Sequence, residues 1–155
     1  PMSTKLPIAA LVVACLGLAA CGSGGGSSGG SHAAPGRGRP VRVYRVTLTG
    51  AAVRPKGAPG ATGATVIALH HHAVICYRFA HLRGFSGPTT AQLYLGAPGK
   101  PGKVVLELSR GRRLHHKGCV RATRALGAAL ERTPTMYYVQ ILSARYRQGA
   151  IRGQL

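Results

Sequence analysis

From residue 41 onward, apolar residues fall at every second position in short stretches, and each stretch is soon closed by glycine or proline. That rhythm favours strands over helices, because successive side chains of an extended chain point to opposite faces and only a period of two keeps one face dry. Tyr44, Val46 and Leu48 alternate with Arg45, Thr47 and Thr49 before Gly50 ends the run, so a half-buried strand is expected there. Residues 65–69 and 74–82 read as two more strands, joined through His70, His71 and His72 into a hairpin. Residues 90–95 read as a fourth strand, 104–108 as a fifth, 136–142 as a strongly apolar sixth and 150–155 as a short seventh. Segments 55–63 and 96–102 are turns by their Gly and Pro content, and the polar stretch 109–118 reads as a loop. Only residues 119–132 have helical composition, Ala- and Leu-rich and stopped at Thr133-Pro134, since proline disfavours helix in the residue before it. The expectation is an all-β sandwich of about seven strands with one short helix.

The N-terminal residues carry a different message. Lys5 gives a positive start, and residues 6–18 form an apolar run too short to span a bilayer. The run ends in Leu18-Ala19-Ala20-Cys21. Small residues ahead of a cysteine are the cleavage pattern of bacterial lipoproteins, in which the cysteine thiol takes a diacylglycerol and becomes the new N-terminus. Lipidation at Cys21 is therefore expected, with residues 1–20 as signal peptide, 21–40 as lipidated cysteine and flexible Gly/Ser/Pro linker, and 41–155 as one folded domain. The expected location is the cell membrane, lipid-anchored on the extracytoplasmic side. An ordinary secretory signal cut elsewhere is the alternative.

Processing simplifies the cysteine count. Cys15 leaves with the signal and the Cys21 sulfur is consumed by lipid, so Cys76 and Cys119 remain. In an exported domain two such thiols are expected to pair, and closing a loop of this length stabilises the fold by about 4 kcal/mol in the chain-entropy description. A two-cysteine metal site is the alternative, although neither residue has a close C-x-x-C partner.

Charge narrows the range of partners. Lys and Arg number 21 against Glu107 and Glu131, no Asp is present, and the formal net charge is +19, of which Lys5 leaves with the signal. Such a field draws polyanions and opposes self-association but does not choose a fold. Arg110, Arg112, Arg113, Lys117, Arg121 and Arg124, with His115 and His116 among them, form the densest cluster and are the candidate polyanion-binding residues. Candidate partners are an acidic envelope polymer, an anionic lipid surface or a protein. Sequence-specific nucleic-acid recognition is not expected of an exported lipoprotein, and the few tyrosines, mostly needed for the core, leave no evident base-stacking platform. The plain alternative is a solvated loop whose arginines reflect composition alone.

Residues at both ends of the domain match a known pattern. Tyr44-x-Val46-x-Leu48-Thr49-Gly50 followed by Pro55, the middle Tyr137-Tyr138-Val139, and the closing Gly149-Ala150-Ile151-Arg152-Gly153-Gln154-Leu155 resemble the CHRD domain, first described in chordin and widespread in bacterial exported proteins. The resemblance covers nearly all of 41–155. It implies a Greek-key sandwich of immunoglobulin-like or superoxide-dismutase-like type, and no established activity. Cys76 and Gly118-Cys119 fit a disulfide-bearing microbial branch of the family. Typical members carry A-H-I-H-x-G in a central strand and Y-V-N-V-H-T in a late one, which places three histidines where a metal could sit. Here Gln92, Tyr94 and Leu142 stand at those places, so the resemblance implies no metal site of that kind. Val53 and Arg54 stand where an acidic residue usually precedes the early proline.

Catalysis by hydrolysis needs paired carboxylates or a nucleophile with an oriented base. Without Asp no Ser-His-Asp triad can form, and the chain holds no P-loop and no dinucleotide fingerprint between strand and helix. No enzyme and no cofactor are expected. His70, His71 and His72 could meet His115 and His116 around a metal, but alternate residues of an extended chain diverge and no nearby carboxylate orients the rings. The expected function is that of a lipid-anchored, non-catalytic cell-envelope module engaging an acidic macromolecule or envelope polymer. A metal-handling or redox lipoprotein on a dismutase-like sandwich is the alternative. Replacing Cys21→Ser is expected to release the protein from the membrane fraction or leave it unprocessed. Mass spectrometry of the mature N-terminus checks this, and an unmodified terminus elsewhere would refute it.

Overall fold

The computed structural model describes residues 38–155, which form one compact unit with its own core. The expected signal segment, Cys21 and the expected linker as far as residue 37 lie outside the described residues.

Eight strands form one sheet: β1 Arg42–Thr49, β2 Thr62–His70, β3 Val74–Arg83, β4 Pro88–Leu95, β5 Lys103–Ser109, β6 Lys117–Arg121, β7 Tyr137–Ser143 and β8 Ile151–Gln154. Their order is β5-β4-β7-β8-β1-β2-β3-β6, and every ladder among the described residues is antiparallel. The two outer strands come round toward each other. Leu114, buried in the segment between them, donates its N–H to the Pro88 carbonyl at 2.9 Å, and Phe79 donates to the His116 carbonyl at 2.7 Å. The sheet is thus nearly closed and barrel-like.

Alternation explains which side chains fill it. In β1, Val46 and Leu48 are buried while Arg45 and Thr47 are exposed, and in β2 Ile67 and Leu69 are buried on the same side. Ile75, Leu93, Val139, Ile141 and Ile151 complete the fully buried centre. One end is covered by α1, Arg124–Arg132, whose Leu130 is fully buried. The Thr123 side chain starts this helix by accepting from the Leu126 N–H at 3.1 Å, which satisfies one of the unpaired first-turn donors. Tyr44 then donates its hydroxyl to the Leu130 carbonyl at 2.7 Å and ties the helix end to β1.

The all-β expectation with one short helix holds, with two corrections. The strands number eight in one sheet, where about seven were expected. The extra strand, β6, takes residues that read as loop and as helix start, and helix begins only at Arg124. Pairing overrides local composition here. Val120 lies opposite Ile75 and Gly118 opposite Tyr77, and a Cβ on Gly118 would fall 2.6 Å from the Tyr77 hydroxyl oxygen, so only glycine lets that ring lie across β6.

The Cys76–Cys119 disulfide is present and links directly opposed residues of β3 and β6 rather than a strand and a helix. Its partners are 43 residues apart, so reduction is expected to cost about 4 kcal/mol, or a fall in Tm of roughly 15 °C or more. Calorimetry with and without reductant checks this, and an unchanged Tm would mean that β6 holds its place without the bond.

Candidate functional site

The expected polyanion-binding residues divide into three places. Arg110, Arg112 and Arg113 project from the exposed connection that follows β5. That connection is held at both ends, because the Ser109 hydroxyl accepts from the His115 N–H at 3.0 Å and Leu114 is buried beneath it. Arg110 forms an ion pair with Glu107, an exposed pair of the kind that contributes little to stability. Lys117 and Arg121 belong to β6, not to the loop, and Arg124 opens α1. A cation in the first turn opposes the helix dipole, and no acidic residue accompanies it there. Helix stability therefore does not account for Arg124.

Two cations missed by sequence reasoning join them. Register places Arg45 of β1 opposite Val66 of β2, Val66 opposite Arg78 of β3, and Arg78 opposite Lys117 of β6. Arg45, Arg78 and Lys117 are all exposed and stand in one row across four strands. Their outward parity was readable in each strand, but their alignment is a property of pairing.

Gln92, Tyr94 and Leu142, where the resemblance implied histidines, lie together as well. Gln92 and Tyr94 share one face of β4, and β7 brings Gln140, Tyr138 and Leu142 opposite Gln92, Tyr94 and Thr90. Hydrogen bonds join these side chains into a polar network. Tyr94 donates to Gln92 Oε1 at 2.7 Å, Gln92 Nε2 donates to Glu107 at 3.4 Å, and buried Gln140 donates to the Gln148 carbonyl at 2.8 Å. Burial pushes the Tyr94 phenol above its ordinary pKa, and neighbouring Tyr138 pushes the same way. Among the described residues no three of His, Cys, Asp and Glu converge closely enough to hold a metal. His70, His71 and His72 line a small cavity with Glu131, while His115 and His116 sit on the connection into β6.

Beside this network lies Arg152, only 2% exposed. Its guanidinium donates to the Lys100 carbonyl at 2.7 Å, the Ala97 carbonyl at 3.1 Å and Gln154 Oε1 at 3.2 Å. It lies 3.4 Å from the Tyr138 ring centroid, and Tyr138 stacks on Tyr94 at 4.8 Å. Gln154 adds donations to the Gly96 and Thr135 carbonyls. Burial pushes the guanidinium pKa down, opposed by Tyr138. Gly153 between them lets β8 approach β1, since a Cβ there would fall 2.3 Å from the Thr47 carbonyl oxygen. The closing Ile-Arg-Gly-Gln sequence is therefore a clasp that fastens the last strand to the turn between β4 and β5.

Fold and clasp together define an antiparallel, barrel-like β domain whose terminal strand is locked by a buried arginine. The CHRD domain family model matches residues 44–155, and the chain belongs to that family. No curated protein and no solved structure matches the chain.

Arg152→Ala leaves the Ala97 and Lys100 carbonyls without their donor and is expected to destabilise the domain by about 3 kcal/mol. Arg152→Lys keeps the charge but loses the planar fork and the stacking, and is expected to recover less than half of that loss. Urea unfolding of the two variants checks both values.

Proposed function

We propose that this CHRD domain is a non-catalytic, lipid-anchored binding module of the cell envelope that engages an acidic macromolecule or envelope polymer outside the cytoplasm. The observation that carries the reading is the arrangement of charge. Arg112, Arg113, Lys117, Arg121 and Arg124 are exposed with no acidic side chain in an ion pair with them among the described residues, and Glu107 is engaged by Arg110. The connection and sheet edge that carry these cations have a pinned backbone, so less backbone entropy is lost when an extended polyanion binds. The anchor at Cys21 belongs to the same proposal, supported by the apolar run and small residues before it. Kinship with Greek-key sandwiches is supported by the crossings that set β7 beside β4 and β6 beside β3.

Cosedimentation with a teichoic-acid-type phosphate polymer across a salt series tests the reading. Binding is expected to weaken steeply with salt. Replacing Arg110, Arg112, Arg113 and Lys117 by Ser is expected to remove about 1 kcal/mol per cation while leaving thermal unfolding nearly unchanged. A quadruple variant that binds as well as the parent at low salt would overturn it.

A further inference from the structure

The outward face of β1, β2, β3 and β6 is built in rows that register fixes. Arg45, Val66, Arg78 and Lys117 form the first row, and two residues along each strand Val43, Ala68, Cys76 and Cys119 form the second. His70, Val74 and Arg121 form the third. The middle row is apolar, with Val43 43% exposed, and a shallow groove of about 630 Å³ runs over it between Val66, Ala68 and the disulfide, with Arg78 and Lys117 beside it.

Two features of this face narrow what it fits. No acidic residue occurs on any of the four strands. Apart from histidine imidazoles, no aromatic ring points outward from them, because Tyr44, Tyr77 and Phe79 turn into the core. A face without Tyr, Phe or Trp platforms offers little for sugar rings or bases to stack on. The cations on β6 lie four residues apart, about 13 Å at the rise of a strand, with the apolar row between them. A soluble polyphosphate would meet the cations and leave that row wet. A partner that is both anionic and amphiphilic satisfies cations and apolar row together.

We propose that this face docks on the surface of an anionic phospholipid bilayer, with Arg45, Arg78, Lys117 and Arg121 at the level of the phosphates and Val43, Val66 and the disulfide row against the boundary between headgroups and acyl chains. This goes beyond the polymer reading, since that reading needs the arginines after β5 and this one does not.

The test uses the domain 38–155, which carries its own core, sedimented with phosphatidylglycerol vesicles and with phosphatidylcholine vesicles. The parent domain is expected to bind the first and not the second. Arg45→Ser, Arg78→Ser and Arg121→Ser together are expected to lower the partition coefficient roughly a hundredfold, about fivefold for each cation. Arg78→Ser alone, about fivefold, serves if the triple variant unfolds. Val43→Ser is expected to weaken binding at unchanged charge, while Ser at Arg110, Arg112 and Arg113 leaves most of it. Absence of parent binding to phosphatidylglycerol, or face variants that bind like the parent, overturns the proposal whatever the polymer assay shows. Val43→Ser binding equal to the parent's overturns it too, because docking would then be charge attraction without the apolar row.

Discussion

The strand ladder of this sheet is continuous only through β8. In the ladder, three strands, β5, β4 and β7, pair with the four strands β1, β2, β3 and β6 through this four-residue element. On the β1 side its ladder is a single pair, Thr49 with Arg152. The residue at that junction is also the buried guanidinium, so the continuity of the sheet and the burial of a charge are one constraint. An unpartnered buried cation is costly. Backbone carbonyls of the turn between β4 and β5 and the face of Tyr138 offset the cost, in a chain whose two acidic residues are engaged or placed elsewhere. The clasp therefore helps to order residues 96–102, beside the Gly96 N–H donated to the Met136 carbonyl and the Gly102 N–H donated to the Tyr138 hydroxyl.

The same shortage of carboxylates shapes the surface. Mutual repulsion among 21 Lys and Arg residues works against the compact state, and the disulfide lies within the region where cations crowd most, between Arg78 with Lys117 on one side and Arg121 on the other. A covalent tie holds β6 against β3 where ion pairs do not.

Much of this was legible in the sequence. β1, the β2–β3 hairpin, β4, β5 and β8 announce themselves as short stretches between Gly and Pro signals, with alternation clearest in β1, and β7 by its continuous apolar run. β6 did not, since Lys117-Gly118-Cys119-Val120-Arg121 shows cations and a glycine beside an Ala-rich segment, and its strand character comes from partners about forty residues away. The disulfide was readable because few thiols remained. The arginines after β5 were readable as a run, whereas Arg45 and Arg78 became part of a site only through register. The closing motif was visible as a family mark, yet its work depends on carbonyls at Ala97 and Lys100 that no local pattern reveals.

The near-closure of the sheet has a further consequence for molecules crowded side by side. Open strand edges are where β proteins zip together into polymers. Here the outer strands turn toward each other, are bridged by a segment bonded to β3 and β4, and bear Lys103, Lys117 and Arg121. Two copies meeting edge to edge along β6 present like charges on a short strand, which works against their sheets fusing.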